Sequence, residues 1–243
     1  MITTNRPGTT VPLELTTGGC ALLALILVLS VTIGMPTVGW VTGVAYDIVA
    51  FGLLATALLK SGAASLTPAD RVTLARMVLV GGVTALVVQS TVQPVPTAAI
   101  TALAAVALVL DAVDGHVARR TGLITPFGAR FDMEVDAFLI LMLSIYVAWS
   151  LGAWVLVIGI MRYVFVAASW LFPWLRKPLR PSFASKAVAA VQGVVLTAAA
   201  ARVLPDAYGA AAVVIALAML TWSFGRDIWW LWRTRRIADP CHR

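Results

Sequence analysis

The chain has 243 residues, 60% of them hydrophobic and only 12% charged, with a mean hydropathy of +0.93. An ordinary soluble domain carries about 25% charged residues, so a chain this apolar takes lipid as its solvent, and a water-soluble fold is excluded. The net charge of +7 comes from cations clustered between apolar runs, the pattern of the positive-inside rule, and nucleic acid is not expected as a partner.

The first 17 residues carry one cation, Arg6, and lead into the apolar run Cys20 to Ile33. A signal peptide needs a more basic start than this. A second apolar run also follows after only Gly34-Met35-Pro36-Thr37, so a two-helix membrane hairpin is expected. Helical spans of about 20 apolar residues are then read at 14–34, 38–59, 73–91, 97–118, 131–150, 153–172, 184–204 and 208–232. Short turns such as Gln93-Pro94-Val95-Pro96, Leu151-Gly152 and Leu204-Pro205-Asp206 separate several of them. The expected fold is all-α: a polytopic membrane helix bundle with a six-helix core in residues 61–243 and an N-terminal hairpin in residues 1–60.

Lys and Arg collect in the loops 60–72, 119–130 and 173–186 and in both tails, while Arg202 alone lies near the other face. That asymmetry sets both termini and these loops in the cytoplasm. Trp222, Trp229, Trp230 and Trp232 toward the end of the last span read as an interfacial aromatic belt. Cys20 and Cys241 stand at opposite ends of the chain, with neither metal-ligand nor disulfide-framework spacing.

Ionisable residues inside membrane spans are costly and functional by default. The fourth span ends in Asp111, Asp114, Gly115 and Ala118 at i, i+3, i+4 and i+7, one stripe of a helix, followed by Arg119. The fifth opens with Asp132 and Asp136 at i and i+4, also one stripe. The link Arg120 to Phe127 is short, so the two acidic stripes are expected on antiparallel neighbours at one depth. Four carboxylates together repel strongly without cations, and hard oxygen ligands call for Mg²⁺ or Mn²⁺. Two such ions can clamp a diphosphate. Gly115 and Ala118 clear bulk from the same face, and Arg119 offers a phosphate-matching fork.

The string Asp111-x2-Asp114-Gly115-x2-Ala118-Arg119-x8-Gly128-x3-Asp132-x3-Asp136 resembles the signature of the CDP-alcohol phosphotransferase (phosphatidyltransferase) family. The six spans from about residue 73 onward resemble that family's six-helix core, with the first two spans outside it. The resemblance implies two ions, Mg²⁺ or Mn²⁺. Asp111 and Asp132 would bridge both, Asp114 would ligate one and Asp136 the other, with Asp136 also the general base toward the acceptor alcohol. It implies that Gly115, Ala118, Arg119 and Thr125 contact the CDP moiety. The family's Asn-x-x-Thr element reads Asp70-Arg71-Val72-Thr73 here, with Arg76 following. Thr73 fits that element, while Asp70 departs from the usual Asn; the resemblance implies that both belong to the CDP-binding set.

The implied reaction is displacement at the β-phosphorus of a CDP-alcohol, with CMP leaving. CDP-diacylglycerol is the expected donor and an alcohol the acceptor, in a homodimer within the lipid bilayer. Competing readings are the same enzyme class with another CDP-linked donor, or a divalent-cation transporter built on the acidic cleft. His116 reads as a polar helix-end residue and Glu134 as the partner of a cation, while Asp47 reads either as a helix–helix contact or as a buried acid. By helical rise Arg162 lies about 16 Å from Pro173 and Asp111 about 12 Å from Arg119, which gives them comparable depth. Arg162 is then either a structural ion pair or, with Arg130 and Lys186, a site for a phosphate on the acceptor.

Overall fold

The computed structural model describes residues 10–61, 65–122, 125–176, 183–203 and 205–235. Its described residues form helices only: α1 (Thr10–Ile33), α2 (Thr37–Ser61), α3 (Pro68–Gln89), α4 (Thr97–Thr121), α5 (Pro126–Leu151), α6 (Leu156–Leu171), α7 (Phe183–Ala200) and α8 (Asp206–Arg235). Short 3₁₀ turns occupy Ala153–Val155 and Pro173–Arg176. All but α7 contain a stretch long and apolar enough to cross a membrane, α6 together with the 3₁₀ turn before it (Ala153–Leu171); the described apolar part of α7 is the shorter Ala187–Ala200. The chain is therefore a multi-pass membrane protein.

Two helices start earlier than hydropathy alone places them, at Pro68 and Pro126 rather than near 73 and 131. Hydropathy marks the apolar stretch, whereas the helix begins where its first turn is capped. For α3 that cap is Thr67. Its Oγ1 accepts the Asp70 N–H at 3.2 Å while Asp70 Oδ2 accepts the Thr67 N–H at 2.9 Å, with Pro68 opening the helix. At the other boundary near the site, α4 ends on Gly122, whose φ of 67° is left-handed and whose N–H reaches the Ala118 carbonyl.

The chain divides into two compact units, Met1–Met142 and Leu143–Arg243, with the boundary inside α5. In the first unit α3 is the axis, flanked by α1, α2 and α4 and buried along most of its length. Lipid tails are as apolar as leucine, so helices associate in a bilayer through close packing and hydrogen bonds. Both devices are present. A Cβ on Gly81 would stand 2.7 Å from Leu22, and one on Gly82 2.9 Å from Leu25, so these two glycines let α1 lie directly on α3. The Tyr46 hydroxyl of α2 donates to the Met77 carbonyl of α3 at 3.1 Å, and its ring packs 5.6 Å from Phe138 of α5. Glu14 and Arg71 pair at 2.6 Å and tie the start of α1 to the start of α3. Asp47 lies against Gly19 of α1, and its Oδ1 is buried there, so it is both a helix–helix contact and a partly buried acid.

In the second unit α7 packs on α8, where buried Gln192 donates to the Ala216 carbonyl at 2.6 Å. Phe165 of α6 meets Phe224 of α8 edge-on at 5.6 Å. Trp222, Trp229 and Trp232 are exposed, and the Arg233 guanidinium lies 5.0 Å over the Trp229 ring. This suits an amphipathic belt at the lipid–water boundary.

Candidate active site

Three helices of the first unit build the site. The last turns of α4 present Asp111 and Asp114, the first turns of α5 present Asp132 and Asp136, and α3 supplies Thr73 and Arg76. Helical spacing puts each acidic pair on one stripe, and the four carboxylates converge on a single side chain. Arg76 Nη1 lies 2.9 Å from Asp111 Oδ1 and 2.8 Å from Asp114 Oδ2, and it also pairs with Asp132 Oδ1. Nη2 pairs with Asp136 Oδ1. The Thr73 hydroxyl sits 3.3 Å from Asp114 Oδ2 and equally far from the Ala69 carbonyl, with one proton to give to either.

Burial divides the cluster. The side chain of Arg76 is 0% exposed and that of Asp114 6%, whereas Asp111, Asp132 and Asp136 are 32%, 39% and 29% exposed. Arginine and Asp114 thus form the floor, and the other three carboxylates line the side that a ligand can reach. Two like charges about 4 Å apart repel by about 4 kcal/mol at an effective dielectric near 20, so four unneutralised carboxylates would not stay together. One guanidinium offsets only one of the four charges that the fully ionised group carries.

The group suits a divalent metal on its own chemistry. Asp111, Asp114 and Asp132 each offer one carboxylate oxygen, all within 4.8 Å of one another, and the same three residues already close on a cationic nitrogen that stands in for an ion. Hard, all-oxygen donors of this kind select Mg²⁺ or Mn²⁺ over softer metals. Asp136 meets the other arm of the arginine fork and borders this trio rather than belonging to it.

The remaining predicted residues are distributed unevenly. Gly115 and Arg119 are neighbours on α4, but the face that Gly115 leaves bare is covered by Arg119 itself. Arg119 Nη1 lies 3.3 Å from where a Cβ would stand. Ala118 is half-buried on the same helix. Thr125 Oγ1 accepts the Gly128 N–H at 2.9 Å and caps the start of α5. Asp70 is buried and committed to its neighbours: Oδ2 serves the α3 cap, and Oδ1 presses so closely on Gly128 that no side chain fits there. Gly128 is therefore a contact between the starts of α3 and α5.

Arg130 is exposed on α5, and Arg162 is half-buried in α6 of the second unit. The Lys186 side chain lies outside the described residues, as do those of Arg176, Lys177, Arg180 and Cys241. His116 is exposed near the end of α4, as a polar helix-end residue should be, and Glu134 is exposed on α5.

Arg76 is the residue that sequence reasoning passed over. Its place after Thr73 carries no local signal, although a cation inside a membrane span needs an anionic partner by the same rule that singles out the aspartates.

A family model for CDP-alcohol phosphatidyltransferases matches residues 66–223, while no curated protein and no solved structure matches the chain. The match opens one residue before the Thr67 cap, contains all four aspartates with Thr73 and Arg76, and ends within α8. The chain belongs to the CDP-alcohol phosphatidyltransferase family and is one of its membrane enzymes.

Proposed function

We propose that this enzyme transfers the phosphatidyl group of CDP-diacylglycerol to an alcohol and releases CMP, as a step in phospholipid synthesis. The observation that carries the reading is the convergence of four carboxylates from α4 and α5 on one buried cation, within the segment that matches the family. Asp111, Asp114, Asp132 and Asp136 would hold two ions, Mg²⁺ or Mn²⁺, with Asp111 and Asp132 shared between them. When bound, such ions supply charge stabilisation at the entering and leaving oxygens of the phosphoryl centre.

The chain's own residues do the rest. Thr73, Gly115, Ala118, Arg119 and Thr125 form the surface for the CDP group, and Asp70 borders it through the α3 cap. Asp136, on the reachable side of the cluster, takes the proton of the acceptor hydroxyl. The acceptor oxygen–phosphorus bond forms as the bond from that phosphorus to the CMP oxygen breaks. Arg130, Arg162 and Lys186 bind a phosphate on the acceptor, a glycerol phosphate or inositol phosphate type of polyol.

Residues 1–60 act as a membrane hairpin beside the enzymatic six-helix domain of residues 61–243. Cation clustering in the loops supports a site and both termini on the cytoplasmic side of the cell membrane, and the enzyme works as a homodimer. The test is CMP release by the purified protein in vesicles, with CDP-diacylglycerol and a panel of alcohols. CMP should appear only when donor and one class of alcohol are both present, with that alcohol recovered in the lipid product. Divalent-cation uptake into the vesicles with no CMP from any alcohol would contradict the proposal.

A further inference from the structure

We infer that Arg76 is a resident cation that a divalent ion must displace, so that the site exchanges an internal guanidinium for its metal. This inference rests on the metal reading of the aspartates and adds what holds them before the ion arrives. The first observation is that Arg76 Nη1 occupies the point on which Asp111, Asp114 and Asp132 converge, the same three residues whose carboxylate oxygens are spaced to hold an ion. Metal–oxygen bonds for Mg²⁺ are about 2.0–2.1 Å, so an ion held by the three oxygens that Nη1 contacts would stand within about 4 Å of that nitrogen and compete for the same lone pairs. Two cations on one set of three oxygens repel each other, so the ion and the hydrogen-bonded guanidinium exclude one another.

The second observation is how the fork is held. Its Nε is buried and has no hydrogen-bond partner among the described residues, so the carboxylates alone supply the polar contacts that fix the guanidinium. The third is the direction of approach. Asp111, Asp132 and Asp136 are each about a third exposed, whereas Arg76 lies beneath them. An ion therefore arrives on the face opposite the arginine and draws the outer oxygens away from it. The arrangement answers a problem set by the bilayer: four carboxylates in a membrane protein need a counter-charge from the moment of folding, and Arg76 provides one that requires no ion.

The consequence is that Arg76 weakens metal binding while it stabilises the metal-free protein. The test compares the full-length wild type with Arg76→Gln and Arg76→Lys, purified in detergent without substrate. Mn²⁺ is titrated and the free ion followed by electron paramagnetic resonance. Arg76→Gln should bind Mn²⁺ about tenfold or more tightly than wild type, the scale of one charge-assisted contact removed from competition, with Arg76→Lys between the two. In chelator Arg76→Gln should melt below wild type, and Mg²⁺ should raise its melting temperature by more than it raises that of wild type.

Recovery of folded Arg76→Gln only in Mg²⁺ would support exchange in the same sense. Unchanged or weaker Mn²⁺ binding in Arg76→Gln would overturn the exchange while leaving the metal site standing. A variant that stays unfolded even in Mg²⁺ would overturn it too, since the ion should then replace the lost charge. If neither wild type nor variant bound Mn²⁺, the metal reading itself would fall.

Discussion

Replacing Gly128 with alanine should disturb the active site through the contact between the starts of α3 and α5, one turn before Thr73 on α3 and one turn before Asp132 on α5. A Cβ at this position would run into Asp70 Oδ1 and stand 3.1 Å from Thr125 Oγ1 and 3.2 Å from Asp70 Cγ. The backbone at the start of α5 is pinned by the Thr125 cap, so the carboxylate of Asp70 is the group that yields. Rotating it away gives up the bond from the Thr67 N–H, half of the α3 capping box. Loss of such a cap costs about 1 kcal/mol. Leaving the buried carboxylate without that donor adds about 1–3 kcal/mol, so Gly128→Ala should destabilise by about 2–4 kcal/mol in all.

Asp70→Ala alone should cost about 1 kcal/mol. In that background Gly128→Ala meets no carboxylate and should cost little, since alanine suits a helix better than glycine. The double-mutant cycle, measured by unfolding in detergent, should thus return a coupling of about 2–4 kcal/mol, the whole cost of Gly128→Ala in the wild-type background. Asp70→Asn keeps an acceptor for the Thr67 N–H and should lie near wild type. Turnover in Gly128→Ala should fall as well, because Thr73 and Arg76 follow Asp70 by one and two turns of the same helix. Additivity of the two substitutions within about 0.5 kcal/mol would refute the proposed contact.

Asp136→Asn keeps the shape of the side chain but cannot accept the acceptor's proton, and should lower turnover by about 10²–10⁴ while the donor KM changes little; a near-normal rate would move the base elsewhere. Arg162→Lys retains charge and loses the bidentate fork, so the acceptor KM should rise far more than the donor KM. An uncharged acceptor, or unfolding with no selective kinetic effect, would make Arg162 structural.

Much of this molecule was legible in its sequence because the bilayer restricts it to few solutions. Long apolar runs announce helices, and four aspartates at helical spacing announce a cation-binding cluster before any packing is known. The boundaries were less legible. Hydropathy alone puts the starts of α3 and α5 about five residues late, because it records where the apolar run begins while Thr67 and Thr125 decide where the helices do. Thr67-Pro68-Ala69-Asp70 carries a capping pattern that would have corrected the first of these. Gly128 was legible as a motif position but not as a contact, since only the fold shows Asp70 lying against it. Arg76 was missed for a different reason. Its partners lie 35 to 60 residues away on two other helices, and no local periodicity brings them together.

The central claim is that the aspartate cluster runs a metal-dependent phosphatidyl transfer, and CMP release in the presence and absence of divalent ions tests it most directly. With CDP-diacylglycerol and the accepted alcohol in vesicles, wild type should release no CMP in chelator and should recover on addition of Mg²⁺ or Mn²⁺. Asp132→Asn should remain inactive at the same ion concentrations. Transfer that persists undiminished in chelator, or an Asp132→Asn enzyme that works as well as wild type, would contradict it.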